Sequence, residues 1–153
     1  MTPPDLQHLA AATDSAAVAI RVANALPMPI WLLWALAPRS RASRYFTRVL
    51  WPWALLAVLY GAAIAVGLTM DPDRAVDFSS LAGIMAIFDG PWSTVAGWVH
   101  YLCFDLFAAR WMMNDAPDAG YRLSPILALT LMYGPLGLLA YALARPWLHR
   151  AKA

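Results

Sequence analysis

The chain has 153 residues, 61% of them hydrophobic and 13% charged, with a formal net charge of +2. That is about half the usual charge content, and with apolar runs near 20 residues it points away from a soluble domain and toward an integral membrane protein. No basic patch is interleaved with aromatics, which excludes a nucleic-acid partner, and the lone Cys103 excludes an intrachain disulfide and CxxC chemistry.

The N-terminal residues 1–15 form a polar, alanine-rich tail without the basic start of a secretory signal or the Arg/Ser-rich character of a transit peptide. Insertion is therefore expected to rely on the first span. A membrane domain is expected over 16–145, with a basic tail at 146–153. The first span covers about 16–37 and ends at Pro38. The second covers about 49–70, with Pro52 in its first turn, where the missing N–H does no harm. Residues 78–88 are too few to cross a hydrocarbon core of about 30 Å and read as an interfacial or re-entrant helix. The third span covers about 91–113 and opens on Pro91. The fourth covers about 125–144, entered by Ser124-Pro125 and closed by Pro146. The expected fold class is thus an all-α membrane protein, a four-transmembrane-helix bundle with a short helix before the third span. Trp31, Trp34, Trp51, Trp53, Trp92, Trp111 and Trp147 stand at the span ends, as an aromatic belt does. Membrane lipid is the expected surrounding, in a bacterial inner membrane foremost and a plastid-type membrane as the alternative.

Orientation follows the arginines. Arg39, Arg41, Arg44 and Arg48 place the first loop in the cytoplasm, and Asp71, Asp73 and Asp77 place the second outside. Four spans then put the C-terminal tail outside, although it carries Arg145, Arg150 and Lys152. The charge rule conflicts with itself at that tail, and a crossing by the 78–90 segment would be one way out.

Depth turns the spans into a candidate site. At 1.5 Å per residue, Asn24, Tyr60, His100 to Asp105 and Tyr133-Gly134-Pro135 fall at similar depths. Around the third span, His100, Phe104, Phe107 and Trp111 share one stripe, while Trp98, Tyr101, Asp105 and Met112 share another and Arg110 takes a third side. A helix with polar groups on three sides belongs at the centre of a bundle or along a cavity. Gly134-Pro135 breaks the backbone ladder of the fourth span, as Pro27 and Pro29 do in the first, and broken helices at one depth build midplane pockets. Each feature has a plainer reading. His100 suits an interhelical hydrogen bond, Tyr60 and Tyr133 suit packing, and Gly134 with Gly137 suits close helix approach. Two intramembrane histidines for haem, and three or four ligands for zinc, are not there.

The string His100-Tyr101-Leu102-Cys103-Phe104-Asp105-Leu106-Phe107-Ala108-Ala109-Arg110-Trp111, followed by Gly134-Pro135-Leu136-Gly137, resembles the signature of the abscisic-acid-deficient type, neoxanthin-synthase-like membrane family, and so does Asn24 before a Pro/Trp-rich span end. The resemblance covers about residues 17–145. It implies a carotenoid or related isoprenoid ligand and an isomerisation that opens an epoxide and forms an allene with no redox cofactor. His100 and Asp105 become the candidate acid/base pair and Arg110 a positioning cation, with Asn24, Tyr60, Trp98, Tyr101, Phe104, Trp111 and Tyr133 lining the ligand. Two other readings stand beside this one. The chain could be a non-catalytic pigment-binding or accessory subunit of a homo-oligomer or larger membrane complex, or a small transporter, which its single deep carboxylate disfavours.

Overall fold

The computed structural model describes residues 3–70 and 77–149, and every regular element among them is helical. In chain order these are α1 (Pro3–Ala25), α2 (Met28–Leu36), α3 (Arg41–Arg48), α4 (Trp51–Met70), α5 (Leu81–Ile87), α6 (Pro91–Asp115), a 3-10 turn (Gly120–Leu123), α7 (Ser124–Tyr133) and α8 (Pro135–His149). Asp71, Asp73 and Arg74 of the second loop, and Arg150 and Lys152 of the tail, lie outside the described residues.

Prolines set several boundaries. Pro52, Pro91, Pro125 and Pro135 stand in first turns, where a missing N–H leaves no gap in the ladder. Pro27 and Pro29 divide α1 from α2. Serines start the two short helices, since Ser40 Oγ accepts the Ser43 N–H and Ser80 Oγ accepts the Gly83 N–H, each at 3.0 Å. The stretch expected as a polar tail is helical from Pro3, and its alanines explain why. Ala12, Ala16, Ala19 and Ala23 are buried in one small-residue stripe, and α1 packs on α6. Helix α3 lies within what reads from sequence as a loop.

Among the described residues, two helical stretches are long and apolar enough to cross a membrane, Ala10–Leu36 and Trp51–Met70. Helix α6 is longer but carries polar side chains on several sides, and it sits at the centre, packing against α1, α3, α4, α7 and α8. Its largest contact is with α4, which runs antiparallel to it. Trp53 meets Phe107 and Tyr60 meets His100, with ring centroids 6.4 Å and 5.8 Å apart. Gly67 then meets Ser93, where an added Cβ would lie 3.5 Å from Ser93 Oγ. Each step is seven residues on along α4 and seven back along α6, the spacing that keeps one seam of each helix facing the other.

The expected fourth span is not one helix. Helix α7 ends at Gly134 (φ 35, ψ −89), and α8 turns back alongside it. An added Cβ on Gly137 would lie 2.5 Å from both the Cα and N of Thr130, residues that a straight helix holds about 10 Å apart. Tyr141 and Arg145 of α8 both reach Asp115, at the end of α6 near which α7 begins. The fourth element is therefore a helical hairpin, and α7, at ten residues, rises only about 15 Å before the reversal. Gly134-Pro135 was legible as a break; its direction comes from the glycine's positive φ and from the missing Cβ at 137, which lets two backbones touch.

The hairpin gives the molecule two unlike ends. One holds the α2–α3 connection, the C-terminus of α6 and the C-terminus of α8, with Arg39, Arg41, Arg44, Arg48, Arg122 and Arg145. The other holds Asp77, Asp89 and α5. The core between them includes fully buried Trp34, Leu56, Leu106, Met112, Leu127 and Tyr141.

Candidate functional site

Among the described residues, a groove of about 480 Å³ lies between α4, α6 and the end of α5. Its walls are apolar, with Ile64, Leu68, Ile87 and Phe88 prominent, and its polar groups are Tyr60, Ser93, His100 and Tyr101. That size and sparse polarity match small-molecule sites. The α4–α6 seam explains its shape. Gly67 thins α4 where it meets Ser93, and Gly97 thins α6 where the Phe88 ring sits on it, with Phe88 Cδ1 3.0 Å from where a Cβ would stand. Thr94 Oγ1 donates to the Phe88 carbonyl at 3.0 Å and ties down the same segment. His100 stands among rings, 4.7 Å from Phe104, 5.8 Å from Tyr60 and 6.3 Å from Tyr101 by centroid.

Asp105 does not share this groove. It lies half-buried on the far side of α6, against the tip of the α7–α8 hairpin. A Cβ on Gly134 would run into its carboxylate, 3.0 Å from Cγ and 3.1 Å from Oδ2. Gly134 also accepts the Leu138 N–H at 3.1 Å, so it is the residue from which α8 starts, and Asp105 faces the positive end of that helix. The five-residue spacing of His100 and Asp105 turns them about 140° apart around α6. The structure thus separates the two groups that the sequence paired in one layer.

Arg110 faces a third way. Its Nε donates to the Thr47 carbonyl at 2.8 Å, joined there by Asn114 Nδ2 at 3.2 Å. Its guanidinium sits 5.2 Å from the Trp53 ring centroid and 6.0 Å from that of Phe107. Thr47 lies in the last turn of α3, where carbonyls lack helical partners, so Arg110 and Asn114 fasten α3 to α6. Arg110 therefore joins α3 to α6 at the arginine end and does not line the groove.

The remaining expected residues fall in several places. Asn24 Oδ1 accepts the Trp98 indole N–H at 2.7 Å and couples α1 to α6. Tyr60 and Tyr101 line the groove with His100, and Phe104 stacks beside them. Trp111 packs edge-on against Tyr141 of α8, with centroids 5.2 Å apart. Tyr133 is exposed at the hairpin tip. Gly67, Ser93, Gly97 and Phe88 were not singled out from sequence. The signal was there in the seven-residue spacing from Tyr60 to Gly67 and from His100 back to Ser93. Asp115 was also missed. It accepts hydrogen bonds from Tyr141 and from Arg145 Nε (2.7 Å) and Nη2 (2.8 Å), with His149 Nε2 3.0 Å away. The Arg145 guanidinium first, then the Tyr141 hydroxyl, holds its carboxyl well below the usual carboxylate range. Among the described residues no three histidine, cysteine or acidic side chains gather as metal ligands.

Comparison with known proteins supplies a family. The family model described as ABA DEFICIENT 4-like matches residues 18–141. Protein ABA DEFICIENT 4, chloroplastic, of Arabidopsis thaliana is 26% identical over 135 residues, which is 84% of this chain and 61% of that protein. The chain thus spans a little over three fifths of its curated relative. No solved structure matches. The expectation of a bacterial inner membrane is corrected by this relative, which is a chloroplastic protein. Residue chemistry could not have made that distinction, because span hydropathy and loop charge read the same in either membrane.

Proposed function

The chain belongs to the ABA DEFICIENT 4-like family, and from that premise we propose that it is an integral membrane protein of carotenoid metabolism that binds a carotenoid or related isoprenoid in the α4–α5–α6 groove. The observation that carries this reading is the groove itself. It is an apolar slot of about 480 Å³ whose few polar groups are Tyr60, Ser93, His100 and Tyr101. Such a slot suits an apolar ligand bearing an isolated oxygen. The apolar walls supply affinity and the hydroxyls and imidazole supply orientation.

The membrane disposition belongs to the same proposal. Three passes (Ala10–Leu36, α4 and α6) carry the chain across, and the α7–α8 hairpin enters from the arginine end, turns at Gly134 and leaves by the same end. Non-ideal backbone at depth is tolerated where protein covers it, and Gly134 is buried against Asp105. This arrangement removes the conflict in the charge rule, because Arg145 then shares a side with Arg39 to Arg48.

Within the groove, His100 is the group proposed to exchange a proton with the ligand, and Tyr60 the one proposed to hold its oxygen. In an epoxide-to-allene isomerisation one proton leaves carbon and one arrives at the epoxide oxygen, so the balance needs no oxidant and no cofactor. Asp105 is not proposed as the partner of His100, since it faces the hairpin. That separation favours a second reading, a non-catalytic carotenoid-binding or accessory subunit, in which the same groove binds pigment without converting it. The test is incubation of the reconstituted protein with an epoxy-carotenoid, with separation of the products. Conversion lost in His100→Ala but retained in Trp111→Ala supports the enzyme. Pigment bound and recovered unchanged by the wild type supports the subunit, and failure to bind pigment contradicts both.

A further inference from the structure

Residues 37–51 contain four arginines and no acidic residue. Three of them, Arg41, Arg44 and Arg48, fall three and four residues apart on α3 and so form one exposed stripe, while Ser43 and Thr47 are buried on the other face. Like charges at that spacing repel, and nothing on α3 offsets them. The carboxylate at the end of α6, Asp115, is engaged by Arg145, Tyr141 and His149 of α8. Arg39 packs over Gly120, its Nε 2.7 Å from where a Cβ would stand, and Arg122 bonds the Ala119 carbonyl at 3.3 Å. Both add positive charge beside the stripe. The stripe is also held in a fixed orientation, because Arg110 and Asn114 fasten α3 through the Thr47 carbonyl. Tyr45 and Trp51 lie exposed next to it, the Trp51 indole N–H donating to the Tyr45 hydroxyl at 3.3 Å. Arginines flanked by aromatics at the end of a membrane helix fit the charged plane of lipid headgroups.

We propose that the outward face of α3, with Arg41, Arg44 and Arg48 beside Arg39 and Arg122, is a docking surface for anionic lipid headgroups. The proposal rests on the membrane reading above and on no property of the groove. Each headgroup phosphate accepts from a guanidinium fork and relieves the repulsion along the stripe. The hairpin contributes by returning α8 to this end, where Arg145 neutralises Asp115.

The test uses the full chain purified in a non-ionic detergent and supplied with phosphatidylglycerol or phosphatidylcholine of the same acyl chains. The readouts are the thermal midpoint and the lipid retained in native mass spectrometry. Phosphatidylglycerol is expected to raise the midpoint more and to be retained several-fold better, with the excess lost at high salt. In Arg41→Gln/Arg44→Gln/Arg48→Gln the excess is expected to vanish. The corresponding triple lysine variant keeps the charge and is expected to keep a salt-sensitive excess, so it decides the matter if the glutamine variant does not accumulate. Equal effects of the two lipids, an undiminished excess in the glutamine variant, or a lysine variant without any excess would overturn the proposal. So would inorganic phosphate reproducing the lipid effect, because that marks a simple anion site. If neither lipid raises the midpoint above detergent alone, the membrane reading itself fails.

Discussion

Gly134 and Asp105 occupy each other's space, the backbone of one standing where the carboxylate of the other leaves no room for a Cβ. The contact joins the tip of the α7–α8 hairpin to the central helix. Gly134→Ala places a side chain at φ 35, which costs about 1–2 kcal/mol in the left-handed region, and drives it into the carboxylate. We expect a clear fall in the thermal midpoint of the detergent-solubilised protein. Asp105→Ala should recover part of that loss when combined with Gly134→Ala. A strictly additive double variant would show that the two residues do not interact.

Arg110 is expected to matter for folding before ligand binding. Arg110→Lys loses the Nε contact to Thr47 and the planar stacking on Trp53 and should destabilise the protein by about 1.5–3 kcal/mol, the range for hydrogen bonds from charged groups. Pigment binding in the surviving folded fraction should match the wild type. A variant of unchanged stability that loses pigment would return Arg110 to the ligand site.

Side-specific labelling tests the three-pass arrangement. In a Cys103→Ala background, cysteines at Ala42 and Pro146 should react from the same side of the membrane, and a cysteine at Ala82 from the other. Reactivity of positions 42 and 146 from opposite sides would restore a fourth crossing and remove the re-entrant hairpin.

The start of α5 should tolerate acid. Hydrogen bonds from Ser79 Oγ and Ser80 Oγ, both 2.6 Å, hold the Asp77 carboxyl at about 2. A carboxyl depressed on folding adds stability above its unfolded value near 3.9 and loses it as pH falls through the folded value. The Asp77–Ser80 turn should therefore persist from neutral pH to about 4 and loosen between about 4 and 2. Carboxyl-detected NMR titration reads this directly, and an Asp77 midpoint near 4 would refute it.

Much of the helical plan was legible because prolines and serines punctuate it. Pro27, Pro52, Pro91, Ser124-Pro125 and Gly134-Pro135 each mark an observed start or break. The depth argument put Tyr60 and Gly134 at the level of residues 100–105, where they meet His100 and Asp105, and Asn24 near His100, two residues from its partner Trp98, because rise per residue is fixed in any helix. What it could not supply was azimuth between helices. His100 and Asp105 share a depth range on α6 and face different neighbours, and one sequence does not say which neighbour stands on which side. The reversal at Gly134 was hidden for a similar reason, since a Gly-Pro break fits a kink or a turn equally. Arg145 was the available clue, its charge being out of place after a fourth crossing. Helix α3 escaped because a short basic run reads as loop until Ser40 is recognised as its cap.

The central claim is that the ligand sits between α4, α5 and α6, and filling that groove tests it most directly. Ile64→Trp adds bulk to the groove wall without touching the hairpin or the α3 anchor. Absorbance of carotenoid bound to the purified, reconstituted protein should fall to near background in Ile64→Trp and stay at the wild-type level in Tyr133→Ala, which is exposed at the hairpin tip and does not line the groove. Full pigment binding in Ile64→Trp, or its loss in Tyr133→Ala, would contradict the assignment of the groove.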